Sequence, residues 1–143
     1  MKTFVSIILL TILIYSCHST QKVASSTVDT QIAENDTVRI ANDELEYEII
    51  IFDPGFSTWL RSMARPEGYY SQEFMETRNY QYVVSWNQRV LQPQVYDPNL
   101  YGMQINYESN IDYGYEVNYK LYNYFIYFQL TYRQQLTGFI PRI

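Results

Sequence analysis

One cysteine and one histidine occur in 143 residues, and they are neighbours, Cys17 and His18. A single cysteine cannot close an intramolecular disulfide. Beyond His18 the chain has neither thiol nor imidazole, which excludes triads built on Ser-His or Cys-His and the usual zinc ligand sets. Glycine is sparse: Gly55, Gly68, Gly102, Gly114 and Gly138 are too dispersed to form a phosphate-cradling loop. Beyond residue 44 the only lysine is Lys120, and the net charge of −5 is scattered, so no basic face for nucleic acid is expected. Nor does an apolar run reach the length of a membrane span. The run from Phe4 to Tyr15 has about a dozen residues, against the roughly 20 that a spanning helix needs.

What that run does offer is a secretory signal. Lys2 precedes it, Ile7, Ile8, Leu9, Leu10, Ile12 and Ile14 fill it, and Ser16 supplies the small residue at which cleavage occurs. Export leads to a compartment that favours disulfides, so an unpaired cysteine needs another role. Ile14-Tyr15-Ser16-Cys17 resembles a bacterial lipobox, with isoleucine where leucine is commoner and a bulkier residue at Tyr15 than is usual. The resemblance implies cleavage before Cys17, acylation of Cys17 and a membrane held as partner through the lipid. At about 0.8 kcal/mol per buried methylene, two acyl chains already anchor stably. The plain alternative is a secreted protein with a free thiol.

Composition divides the rest. Residues 18 to 43 contain no aromatic residue and many Ser, Thr, Asn and Asp. Such a stretch buries too little apolar surface to offset its ordering entropy. The expected organisation is a signal peptide at 1–16, a lipidated Cys17 with a flexible linker at 17–43, and a compact aromatic-rich domain at 44–143. That domain holds every tyrosine of the 16 except Tyr15, both tryptophans and all phenylalanines but Phe4. Each buried tyrosine brings apolar area and a hydroxyl that needs a partner. Either a hydrogen-bonded aromatic core or an aromatic surface for a glycan or peptide would use them.

Periodicity sketches the elements. "EYEIIIF", 46–52, reads as a strand entering a core. Asp53-Pro54 reads as a helix start, with Phe56, Trp59, Leu60 and Met63 at helical spacing and an end near Ala64, before Pro66. Arg61 and Arg65 then lie toward the negative end of that helix, as a solvated pair or as a grip for an anionic lipid or glycan phosphate. Ser71 caps a longer helix, 72–90, whose inner stripe is Met75, Tyr82, Val83, Trp86 and Val90. Residues 112–135 fit two patterns. Alternating Tyr113, Tyr115, Val117, Tyr119 and Leu121 suit a strand, whereas the stripe Val117, Leu121, Phe125, Phe128, Tyr132 and Leu136 suits a helix. Asp112, Glu116 and Lys120, four apart with acid first, favour the helix. The expected fold class is therefore α+β: a small helix-rich domain with one or a few short strands, two long helices and one short helix.

Two weaker constellations remain. Asp97, Asn99, Gly102 and Glu108 occupy places 1, 3, 6 and 12 of a calcium loop, but Tyr101 stands where a ligand is wanted. Carboxylates are many, and a glycoside hydrolase needs only two about 5 to 10 Å apart, yet no spacing singles out a pair. No catalytic residue, metal site or cofactor is expected. The irregular stretch 92–111 is the first place to look for a contact surface, through Tyr96, Tyr101 and Tyr107, the alternative being a lid over the two longer helices.

"ARPEGYYSQEF", "SWNQRVLQPQVYDPNLYGMQINYESNIDYGYEVNYKLYNYF" and "LTGFIPRI" resemble a family of small lipoproteins of the Bacteroidota that is defined as a domain of unknown function. The resemblance implies a lipid-anchored envelope protein and transfers no activity, cofactor or catalytic residue. Nothing acidic directly follows Cys17, which is unlike the surface-export signal of such bacteria, so the periplasmic face of the outer membrane is expected. The functional expectation is a noncovalent structural or interaction module whose partner is an envelope protein or glycan. A glycan-binding module or a carboxylate-based hydrolase acting on an envelope polymer stands as the alternative.

Overall fold

The structure is a computed structural model and describes residues 37–143. The signal segment, Cys17 and residues 18–36 of the expected linker lie outside the described residues.

Strands β1 (Thr37–Asn42) and β2 (Tyr47–Phe52) form a two-stranded antiparallel sheet, in register from Thr37 opposite Phe52 to Asn42 opposite Tyr47. The end of the expected linker is thus a strand, which corrects the domain boundary at residue 44. Its physical reason is pairing. β1 has little apolar content of its own, but period-two alternation puts Ile40 inward, fully buried opposite Ile49. Arg39 points outward, bonded to Glu48 at 2.6 Å and Asp43 at 2.9 Å. Between the strands lies a 3-10 turn (Asp43–Leu45), where Asn42 Oδ1 accepts from the backbone N–H groups of Glu44 and Leu45 at 3.0 and 3.3 Å.

Helix α1 (Phe56–Ser62) starts later and stops sooner than the sequence suggests. Gly55 holds the N-cap at φ 102°, a conformation that disfavours any side chain, and a Cβ there would lie 3.3 Å from the Tyr127 hydroxyl. Asp53 therefore does not cap the helix with its side chain. Only its backbone carbonyl accepts, from Phe56 N–H at 3.2 Å, and its carboxyl turns into the protein.

Helix α2 (Gln72–Val90) has the expected bounds, and Ser71 Oγ accepts from Phe74 N–H at 3.3 Å. Its inner stripe is Met75, Asn79, Tyr82, Val83 and Trp86. Helix α3 (Tyr115–Thr131) bears out the helical reading of the ambiguous segment, with shorter ends than 112–135. From Val117 to Gln129 every residue except Lys120 is buried. A helix buried all round has no polar face to mark its period, and here Asn118, Asn123 and Gln129 are buried along with the apolar residues, which is why alternation and stripe coexist in its sequence. Glu116 and Lys120 pair at 2.5 Å. Asp112 lies outside the helix and accepts from Gln72 Nε2 at 2.6 Å and Gly114 N–H at 2.9 Å.

The resulting α+β fold is a hub and its covers: α3 is central, with α1, α2 and β1 packed against it. Residues 91–114 form a lid fastened at several points. Trp86 Nε1–H donates to the Met103 carbonyl at 2.9 Å, and Asn87 exchanges two hydrogen bonds with the backbone of Ile105 at 2.8 and 2.9 Å.

Candidate functional site

The three tyrosines expected to form a contact surface do not share one. Tyr101 and Tyr107 are buried, at 3% and 7% exposure. The Tyr101 hydroxyl donates to Gln134 Oε1 at 3.0 Å and accepts from Arg89 Nη1 at 2.6 Å. Tyr107 donates to Asn118 Oδ1 at 2.7 Å. Tyr96 is half-buried, edge-on to Tyr101, with the Arg89 guanidinium 4.9 Å from its ring centre. The physical reason is that the lid fills the gap above α2 and α3, and its larger rings fill it best.

The calcium-loop spacing is also spent on folding. Asp97 Oδ1 accepts from both the backbone N–H and the side-chain amide of Asn99 at 2.9 Å, an Asx turn. Among the described residues, no three His, Cys, Asp or Glu side chains converge as metal ligands would.

A groove of about 420 Å³ does lie beside the sheet. One wall is the six consecutive residues from Glu48 to Asp53, and the other is the lid from Asn99 to Asn106. Trp86, Tyr124, Phe128 and Tyr132 line its inner part. Strand order explains the first wall: β2 pairs with β1 on one side only, so its other edge faces the groove. Among the described residues, the backbone groups of Ile49 to Phe52 have no hydrogen-bond partner outside the β1 ladder. Both faces of this edge strand are apolar. Ile49 and Ile51 turn to the core, while Ile50 and Phe52 stand 47% and 69% exposed. Across the groove Met103 is 78% exposed.

At the inner end sits Asp53, 5% exposed. Its Oδ1 accepts from the hydroxyls of Tyr127 and Tyr132, each at 3.0 Å. Burial raises the Asp53 carboxyl above the usual carboxylate range, and the two phenol donors oppose that rise. Burial and the neighbouring carboxyl raise both phenols. A buried carboxyl with a raised pKa in a cleft is a candidate acid or base, but hydrolysis of a glycoside needs a second carboxyl facing it. Glu48 also lines the groove, yet by the period of the strand its side chain leaves β2 on the opposite face, where Arg39 holds it.

Elsewhere some tyrosine hydroxyls are satisfied within the fold. Tyr119 donates to the Arg65 carbonyl at 2.7 Å, and Tyr115 donates to the Tyr70 carbonyl at 3.3 Å. Tyr47 Oη and Asn79 Oδ1 are buried without a partner among the described residues. Of the two arginines at the end of α1, Arg61 bonds Thr58 Oγ1 at 3.5 Å, whereas Arg65 lies 5.0 Å over the Tyr69 ring. Sequence reasoning does not single out the groove. The available signal is "EYEIIIF", where alternation gives way to an apolar run on both faces.

No curated protein and no solved structure matches the chain. A family model matches residues 4–141, which is nearly the whole chain. The chain therefore belongs to that family, described as a family of unknown function (DUF6146).

Proposed function

We propose that this protein is a lipid-anchored envelope protein, held at the periplasmic face of the outer membrane through Cys17, which works by noncovalent contact. The contact site is the open edge of β2, and its occupant is an extended segment of another envelope protein. Support for the anchor comes from the lipobox pattern at Ile14-Tyr15-Ser16-Cys17 and from a family match that begins at residue 4 and so includes the apolar run before it.

The observation that carries the contact site is the two-sided apolar edge strand beside a groove. Strands apolar on both faces are ordinarily covered on both. Exposed edges are ordinarily blunted by lysine, proline or a bulge, and β2 has none of these. An extended peptide lying along β2 would satisfy its free backbone groups and cover its side chains, the mode of β-strand addition. The amides of Asn99, Gln104 and Asn106 on the opposite wall offer further partners for a peptide backbone. The Asp53 carboxyl lies at the inner end of the groove and no Lys or Arg lines it, which favours a neutral or basic segment. A glycan would instead use an open ring face. Here Trp86, Tyr124 and Phe128 pack against one another at 4.8 to 6.2 Å between ring centres.

Photo-crosslinking in cells tests this. A photoreactive residue in place of Ile50 should give a discrete protein adduct that disappears when Met103→Lys puts a charge across the groove. The same group in place of Gln88, on the far side of α2, should give none. Identical adducts from both positions, or an Ile50 adduct insensitive to Met103→Lys, would rule the groove out as the contact site.

A further inference from the structure

A second surface lies at the N-terminal half of α2, away from the groove. Among the described residues, the ion pairs are those of Arg39 with Asp43 and Glu48 and of Lys120 with Glu116. Arg65 and Arg78 pair with no Asp or Glu side chain there and lie on aromatic rings instead. The Arg65 guanidinium is 5.0 Å over Tyr69, and its Nη2 donates to the Ile143 carbonyl at 3.3 Å. Arg78 is held by two rings, 5.4 Å from Phe74 and 3.8 Å from Phe139. Tyr70 bridges Tyr69 and Phe74, with ring centres 4.7 and 5.0 Å away. These contacts make one continuous surface, running from the α1–α2 connection along α2 with residues 137–143 laid beside it. Its apolar groups face water: Tyr69 is 58% exposed, Phe139 43% and Ile140 72%. Arg142 is exposed beside the carbonyl that Arg65 holds, and Glu73 shares a shallow hollow with Phe74, Arg78 and Phe139.

We infer that this surface rests on the head-group layer of an anionic lipid bilayer. The inference rests on the anchored reading given above, because a tether keeps the domain at high local concentration beside the membrane, where even a weak surface engages. Charge complementarity selects the occupant. Arg65, Arg78 and Arg142 bring three cations to this one face with no ion pair to Asp or Glu among the described residues, and a guanidinium stacked on a ring keeps its N–H edge available to lipid phosphate oxygens. Amphipathic rings and an exposed isoleucine beside such cations match the chemistry of the interfacial layer, where aromatic groups concentrate. The groove beside β2 stays open to its own partner.

The test uses the acylated protein, purified from membranes and reconstituted into vesicles of phosphatidylethanolamine alone or mixed with phosphatidylglycerol. Hydrogen exchange of segments 69–72 and 137–143 is read by mass spectrometry. The expected result is exchange slowed about fivefold or more per arginine engaged on the anionic vesicles, reversed by high salt and by Arg65→Gln with Arg78→Gln, with residues 99–106 unchanged. Equal exchange on both vesicles overturns the inference, as does slowing that survives both substitutions. Equal slowing by soluble glycerol phosphate also overturns it, since it marks a free-anion site. Failure of the anchor shows separately, as a mass without acyl chains on Cys17. The exchange comparison is then made with protein added to the vesicles from solution, where slowing on the anionic vesicles alone supports the lipid contact and equal exchange overturns it.

Discussion

Asn79 on α2 donates to both the backbone and the side-chain oxygen of Asn118 on α3, at 3.0 and 3.1 Å, and both residues are at 0% exposure. The pair is unequal. Asn118 Oδ1 also accepts from the Tyr107 hydroxyl at 2.7 Å, so the lid, α2 and α3 meet on one amide. Asn79 Oδ1 has no partner among the described residues. Removing the Asn118 side chain strands the buried Tyr107 hydroxyl and takes one of the two bonds from the Asn79 amide, which keeps the Asn118 backbone oxygen, whereas removing Asn79 leaves Tyr107 its partner. At about 1–3 kcal/mol for a stranded group, with the lost bond added, Asn118→Ala should lower the unfolding free energy by about 2–4 kcal/mol, and Asn79→Leu by clearly less. Urea unfolding with unchanged slopes measures both. Equal losses would contradict the assignment of Asn118 as the junction.

The Asp53 carboxyl makes stability depend on pH, with a fixed sign. Burial raises its pKa in the folded protein. Its contribution is then fully present below the carboxylate pKa of the unfolded chain and is lost as pH rises through the raised folded value. Asp53→Asn removes the charge and keeps an oxygen for the Tyr127 and Tyr132 hydroxyls. Above that window the variant should be at least as stable as the wild type, and its relative advantage should vanish as pH falls through the window. Melting temperatures of the two proteins across acid pH check this. A wild type that gains on the variant as pH rises would reverse the sign.

Which parts of this fold are legible in the sequence depends on where each segment's stabilisation resides. Helix α2 can be read with its cap because Ser71 and the stripe through Met75, Tyr82, Val83 and Trp86 are local signals. Helix α3 is harder, since total burial erases the polar face by which a helix is recognised. β1 is not legible, because "TVRIAN" is a strand only by virtue of β2 beside it and of the pocket that buries Ile40. Tyr101 and Tyr107 sit in an irregular, polar-looking stretch that suggests an outward place, but the partners that turn them inward, Gln134 and Asn118, lie 33 and 11 residues away. The groove eludes sequence reasoning because a strand's edge is defined by what fails to pair with it.

Ile40 separates the two views of the segment before residue 44. At 0% exposure it should behave as a core residue, and Ile40→Ala should cost about 2–4 kcal/mol. A position in a flexible linker would tolerate the change without measurable loss. Chemical denaturation of the full chain and of the variant decides between them.

The attachment of the protein to its membrane can be measured directly. Intact mass spectrometry of the protein isolated from its own membranes, together with fractionation of cells carrying Cys17→Ser, does so in one experiment. The expected result is a mature chain beginning at an acylated Cys17, and a variant released from the membrane fraction. A chain without acyl groups, or a Cys17→Ser product that sediments with the membranes as before, would contradict the lipid anchor on which the proposed function depends.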